Sequence, residues 1–419
     1  MGRALVLAFA GAVVIAGGVF WALVDLLEVR QLRTETLLTA STLFDMVKLS
    51  FGVVAGAGAL VALVVAYRKQ RVDEESAQRE ATRLHTERFT TAVTQLGDPS
   101  PAVRLGGVHA LAALADDAPA LELRQTCIDV LCAYLRMPYV PDPGPEDQAA
   151  HHEYLSLREV RHTIIRLIRD HLQPESVNPH SWRGRDFDFT GATFDGGDFS
   201  KSVFSGERTS FDRVRFASGR VSFDSVQFKG WKTSFSGAYF DGGIVSFAYA
   251  RFDKMANFVG AHFNGATVRF GDTDFAHCSA YFTGARFTAG LVSFISRVGS
   301  LRQVQFLGGG LLFERIKLEG AVVEFDRALF KNTTVSFDEA QFSDGSLSFK
   351  AAQFHGGSAS FKRAIFNGCD VSFVGTWFPT AVFSFQEVQG AAPTGLLPPR
   401  GASAPANLLL PAHWLSTLG

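Results

Sequence analysis

The residues in this chain that could do chemistry are few, and their spacing limits what that chemistry could be. Carboxylates follow phenylalanine directly at Asp224, Asp241, Asp326 and Asp338. A regular return of that kind could build a ladder of cation ligands. On a short strand, however, the neighbour of an inward aromatic points outward, so these carboxylates are expected at solvent-facing corners. His151 and His152 are adjacent, their side chains diverge, and no Cys, Asp or Glu cluster at ligand spacing joins them, so no metal is expected there. Cys127 and Cys132 are five apart, which suits neither CxxC redox chemistry nor a zinc knuckle. With Cys278 and Cys369 they read as reduced, buried thiols. The chain contains no phosphate-binding glycine loop ending in Lys-Ser/Thr, no GxSxG, no HExxH and no CxxC. It is therefore read as a non-enzyme without a cofactor.

The elements around these residues are more informative. The 419 residues carry 40 Lys/Arg and 41 Asp/Glu, a net charge of −1, so global electrostatics point to no charged partner and no nucleic acid is expected. Phenylalanine is the anomaly: 39 residues, of which 34 lie between Phe187 and Phe385. They fall in pairs: Phe223/Phe228, Phe235/Phe240, Phe247/Phe252, Phe270/Phe275, Phe282/Phe287, Phe325/Phe330, Phe337/Phe342, Phe349/Phe354, Phe361/Phe366 and Phe373/Phe378. The step is five within a pair and seven between neighbouring pairs, a period of twelve. Two residues before the first Phe stands a mostly β-branched residue, as at Val221 and Val335; before the second it is mostly Ala, as at Ala238 and Ala352.

Residues two apart on a strand face the same way, so V-x-F and A-x-F are two-tooth inward contacts. Steps of five and seven cannot hold one face of a helix at 3.6 residues per turn. Glycine pairs such as Gly196-Gly197, Gly242-Gly243 and Gly356-Gly357 provide the positive φ that a corner needs. Short strands with regular corners make a solenoid whose coils stack at about 4.8 Å. Two twelve-residue units per coil give four inward Phe, eight coils and a rod roughly 40 Å long. Each buried Phe contributes roughly 1.5–3 kcal/mol, enough in sum to hold the rod without disulfide or metal.

This repeat resembles the pentapeptide-repeat family. "FDFTGATFDGGDFSKSVF" (Phe187 to Phe204) keeps five-residue steps at Phe189, Phe194, Phe199 and Phe204. The resemblance implies an all-β right-handed quadrilateral β-helix over 181–389. Two departures stand out: Phe258 comes one residue early, and "ISRVGSL" (Ile295 to Leu301) interrupts the period. The extended repeat, the apolar segments and "QLGDPSPAVRLGGVHAL" together resemble membrane-anchored members from actinobacteria. That family has no common activity.

Ahead of the repeat, residues 1–71 read as a two-helix transmembrane hairpin with spans at about 4–27 and 45–67, each long enough for a hydrocarbon core. A basic rim, Arg68, Lys69 and Arg71, follows the second span, and the positive-inside rule places both termini in the cytoplasm. Multi-pass insertion in the bacterial inner (plasma) membrane is the implied location. Gly52 and Gly56 form a GxxxG that would serve hairpin packing or dimerisation. Residues 72–178 read as a helical neck with one HEAT-like repeat around Arg104. A proline-rich loop is expected over Met137 to Tyr154. The tail, 390–419, is expected to be disordered, with "NLLLPAHWL" docking on a partner or capping the last coil.

Two functions fit. One is a membrane-tethered scaffold whose partners are the lipid bilayer and an unidentified protein, with a homodimer through the spans or the rod end as a further option. The other is a DNA mimic, since quinolone-resistance members of the resembled family shield gyrase with a negatively charged rod. From Ser181 to Gly390 there are 22 Lys/Arg and 20 Asp/Glu, a net of +2, which disfavours mimicry.

Overall fold

The structure, a computed structural model, describes residues 40–140, 142–174, 180–276, 278–296, 304–399 and 402–416, with isolated helical positions between 10 and 25. The chain divides at Leu84/His85 into two compact units. In the first, helix α1 (Ala40–Leu96) begins, and it continues without a break into the second. Among the described residues one helix, Phe51–Leu96, is long and apolar enough to cross a membrane, with a mean hydropathy of 1.9 in its most apolar stretch. A hairpin of two such helices is therefore not seen. The span expected at 4–27 lies outside the described residues except for those isolated positions. No Gly or Pro interrupts the chain between the apolar stretch and Gly97, so α1 runs on past residues 71 and 72. Glu75–Arg79 and Glu80–Arg83 ion pairs carry the helix through its charged half.

The second unit starts with three further helices: α2 (Pro101–Asp116), α3 (Leu121–Arg136) and α4 (Gln148–His171). The expected loop is shorter than predicted. Asp147 accepts a hydrogen bond from the Ala150 amide at 3.0 Å and caps α4, so His151, His152 and Tyr154 lie on a helix. Val108, Leu111, Ile128, Leu131, Ile164 and Ile168 are fully buried and pack these helices into the same core that runs on through the repeat.

That repeat is a β-solenoid of parallel strands in three sheets. Register sets the coil: Phe187 pairs with Thr209, Val203 with Gln227 and Ile365 with Gln389, steps of 22, 24 and 24 residues. Two twelve-residue units per coil and four inward ring positions follow. One ring column runs Phe199, Phe223, Phe247, Phe270, Phe294, Phe325, Phe349, Phe373, each stacked on the next with centroids 4.4–5.2 Å apart. A second column, Phe189 to Phe385, passes through Phe211, Phe235, Phe258, Phe282, Phe313, Phe337 and Phe361 at 4.5–4.9 Å. Its nine rings make nine levels joined by eight coil steps, where eight coils were expected.

A third column runs Phe204, Phe228, Phe252, Phe275, Phe306, Phe330, Phe354, with centroids 4.3–5.5 Å apart. Rings of the first two columns stand directly after the last residue of a strand, whereas those of this column lie within strands, Phe275 apart. Phe228 and Phe252 end strands of the small three-stranded sheet, which goes no further than Phe252. Phe275 belongs to no strand; only single bridges, Arg251 to Asp274 and Asp274 to Gln305, tie its segment to the coils on either side. Phe330 lies on a strand of the eleven-stranded sheet, Leu329–Ser336, opposite Phe306. The ladder breaks because the coil length changes there: Phe252 to Phe275 is 23 residues and Phe275 to Phe306 is 31, whereas Phe306 to Phe330 returns to 24. The rings remain stacked across the break in the backbone pairing.

The fourth column holds Phe194 to Phe366, with Leu318 in place of one ring between Phe287 and Phe342. Ring spacings match the distance between hydrogen-bonded strands, so the backbone ladder and the ring stack enforce the same repeat. Early Phe258 stays in its column because its coil is one residue shorter, with Ala256 opposite Thr233. The interruption is absorbed by a 31-residue coil, Arg286 to Lys317. Most of "ISRVGSL" lies outside the described residues.

The expected glycine pairs do take positive φ, 69–142° at Gly196, Gly197, Gly243, Gly356 and Gly357, but the corners that follow the rings do not need glycine. Two residues after a ring, Lys201, Arg213, Ser225, Glu339 and Arg363 all have φ between 53 and 61°. Glycine is required elsewhere: at Gly243, φ 69°, an added Cβ would lie 2.1 Å from the Gly219 carbonyl oxygen one coil away. The tail departs from its expected disorder over its described residues. Leu408 pairs with Phe383, and a short helix α5 (Ala412–Leu415) lays Trp414 over Phe385, with ring centroids 5.4 Å apart. Burying an indole over otherwise bare rings is what fixes it.

Candidate functional site

The ladder residues come together as described, with one exception. Phe252, Phe275 and Phe330 are buried in their column although they differ in backbone pairing. Phe378 is only half-buried and stacks on no ring of its expected column. Pro379 follows it, and Phe383 turns edge-on to Phe354 at 4.9 Å in its stead. The rim residues Arg68, Lys69 and Arg71 are exposed on α1, where Arg71 pairs with Glu75 at 3.6 Å.

The carboxylates after phenylalanine are engaged in joining coils. Asp338 Oδ1 accepts from Ser360 Oγ at 2.5 Å and from the Lys362 amide at 2.9 Å, both one coil on. Asp326 does the same with Ser348 and the Lys350 amide, Asp224 with Ser246 and the Ala248 amide. Asp241 instead pairs with Arg215 at 3.2 Å and accepts from Asn264. Their oxygens are used by the fold, and no group of three or more metal-binding side chains occurs among the described residues. In the first turn of α4, His151 Nδ1 lies 2.7 Å from Asp142 Oδ1. Burial pushes the Cys127 thiol up to about 11 and those of Cys132, Cys278 and Cys369 to about 12, which keeps them protonated and poorly nucleophilic.

The arrangement with chemical potential lies where α4 crosses the first coils. The Gly196-Gly197 pair leaves room for Ile165, whose Cδ1 sits 3.0 Å from where a Gly197 Cβ would be. With the helix pressed against the coil, Asp195 is enclosed, its side chain 3% exposed. Its Oδ2 accepts from Tyr154 at 2.6 Å and Tyr139 at 2.8 Å and pairs with Arg158 at 3.3 Å, while Oδ1 meets His162 Nε2 at 3.2 Å. Burial alone would raise the Asp195 pKa, but the hydrogen bonds from His162 and the two tyrosines outweigh it and hold the carboxyl far below its usual range. Burial and the same carboxylate push the Tyr154 hydroxyl up to about 12.

Beside this lock opens a groove of about 610 Å³. Helix α4 lines one wall with His162, Arg166 and Arg169; the coils line the other with Asp198, Lys201, Arg220 and Asp224, with Ser200 and Ser225 between them. Arg169 pairs with Asp198 at 2.7 Å and Arg220 with Asp224 at 3.3 Å. Among the described residues, neither Arg166 nor Lys201 forms an ion pair. This groove has little trace in the sequence. Its one signal was the spacing Arg158, His162, Arg166, Arg169, which puts four basic residues along one side of a helix.

No family model matches the chain, and no curated protein and no solved structure matches it.

Proposed function

We propose that this protein is a membrane-tethered scaffold of the pentapeptide-repeat type, presenting a rigid rod for protein–protein interaction on the cytoplasmic side of the bacterial inner membrane. The observation that carries the reading is the union, in one chain, of α1 and the nine-level solenoid. On α1, Phe51, Val54 and Leu63 are about 70% exposed (72%, 69% and 68%), an apolar surface that needs lipid or a partner to cover it. In the solenoid, the four ring columns take up most of the phenylalanines and leave long outer faces stacked at strand spacing, mostly polar but with Trp231 and Trp377 exposed, a surface suited to recognition. The five-residue steps from Phe189 to Phe204 and the left-handed residue two after many of the rings favour the pentapeptide type.

A hairpin with residues 4–27, with Arg68, Lys69 and Arg71 on the cytoplasmic side, would hold the rod among other membrane-bound proteins and raise their effective concentration. The same helices could pair two copies of the chain. A near-neutral rod gives no support to DNA mimicry.

The test is proximity labelling from the C-terminus of the full chain in its native host, read beside a gyrase supercoiling assay with the purified chain. Enrichment of specific membrane-associated proteins and no gyrase effect is the expected outcome. Labelling confined to soluble nucleoid proteins, or gyrase protection at stoichiometric concentration, would overturn it.

A further inference from the structure

We propose that the groove between α4 and the first coils is a binding site for a phosphate-bearing small molecule. Charge sets the head group. Arg166, Arg169, Lys201 and Arg220 contribute four positive charges and Asp198 and Asp224 remove two, leaving +2 before His162 is counted. That balance suits a dianion. Both carboxylates are already paired to Arg169 and Arg220. The two cations that lack a carboxylate partner among the described residues, Arg166 and Lys201, stand on opposite walls. A phosphate between them would gain charge-assisted hydrogen bonds from a guanidinium fork on one side and an ammonium on the other. Ser225 supplies a hydroxyl on the coil side, while the Ser200 hydroxyl is engaged by Asp198.

Volume sets the rest of the ligand. At about 610 Å³ the groove is far larger than one phosphate, so it fits a phosphate ester or a diphosphate with an attached body. The walls are also fixed in advance. Asp195 binds Tyr154 and His162 of α4 from within the first coil, so the spacing of the two walls costs little to hold on binding. Lys201 is held at a left-handed corner, φ 60°, with its amide bonded to the Asp224 carbonyl at 2.9 Å. Its backbone position is therefore set by the coil beyond it.

The phosphate could come from a diffusible metabolite or from a lipid head group, and the experiment separates them. The full chain in detergent micelles is titrated calorimetrically with inorganic phosphate, pyrophosphate and dihexanoyl phosphatidic acid at about 0.15 M salt. Saturable binding of at least one probe with a dissociation constant on the order of 0.1–1 mM is expected. Preference for pyrophosphate assigns a diffusible ligand, and preference for the lipid assigns a head group. Lys201→Asn combined with Arg166→Ala should weaken binding roughly tenfold or more. The asparagine tolerates the left-handed corner, and Arg166→Ala alone serves as a second variant should the pair lower the thermal midpoint. Absence of saturable heat up to about 10 mM of every probe would overturn the proposal. So would undiminished affinity in both variants.

Discussion

Phe187 and Phe383 occupy the same place in the coil at opposite ends of the rod. They are the two ring-bearing members of one strand column that otherwise holds Thr209, Thr233, Ala256, Ala280, Leu311, Val335, Ala359 and, beyond Phe383, Leu408. Each meets the terminal ring of the neighbouring column edge-on: Phe187 with Phe204 at 5.4 Å and 88°, Phe383 with Phe354 at 4.9 Å and 80°. Where that column stops, a ring from the small-residue column closes the gap. Edge-to-face contact lets the last ring be covered without another coil.

This arrangement separates two phenylalanines that look equivalent in sequence. Phe383 is fully buried and Phe378 half-buried. Phe383→Ala should therefore cost about 3–5 kcal/mol and expose the rod's end, while Phe378→Ala should cost well under half as much. Urea unfolding of the two variants measures the difference, and equal losses would place Phe378 in the column after all.

The Asp195 lock makes a prediction about the joint between helices and rod. Asp195→Ala leaves Arg158 and His162 without their carboxylate and two tyrosine hydroxyls without an acceptor. It should destabilise by about 3–5 kcal/mol. Tyr154→Phe removes a single donor and should cost about 1–2 kcal/mol. Limited proteolysis after Arg136 and along α4 should accelerate in the first variant and change little in the second.

His171 carries a pH signature. Burial opposes its charged form, but hydrogen bonds to Asp116 at 3.1 Å and to the Leu167 carbonyl outweigh this and raise its pKa above 6.5. It also stacks on Trp182 with centroids 4.1 Å apart. A raised folded-state pKa contributes stability that is fully present below the unfolded value and is lost as pH rises through the folded value. The thermal midpoint of the parent should exceed that of His171→Phe most at pH 5–6, and the gap should narrow as pH rises from about 6.5 upward. A gap that widened with pH would contradict the assignment.

The solenoid was legible because its physics is local and repeated. Phe223, Phe228, Phe235 and Phe240 differ from the next coil's set by a nearly fixed step, so one rule about alternate side chains explained four columns at once. What stayed hidden depends on contacts between distant segments. The rule placed Phe275 in its column but not off the strands that hold the column's other rings, since pairing there depends on the length of two neighbouring coils. Asp195 and Asp224 both follow a phenylalanine in sequence, yet only Asp195 lies under α4. The groove needs Arg166 and Lys201, 35 positions apart, brought to one cleft, which no periodicity encodes. The tail's composition suggested disorder because its few apolar residues have nothing of their own to pack on. Trp414 orders by borrowing Phe385 and Phe366.

The account rests on stacked rings holding one rigid surface, and one comparison tests it. Phe349 lies between Phe325 at 5.0 Å and Phe373 at 5.1 Å, each within 9° of parallel, while the neighbouring Lys350 is exposed. In the full chain, hydrogen exchange of the inter-coil bonded amides at Ser348, Phe349 and Phe361 reports the opening free energy of that part of the rod. Phe349→Ala should lower it by about 3–5 kcal/mol, with faster exchange reaching the coils on both sides. Lys350→Ala should change it by under about 0.5 kcal/mol. Equal effects of the two substitutions would contradict the inward ladder and the rigid surface built on it.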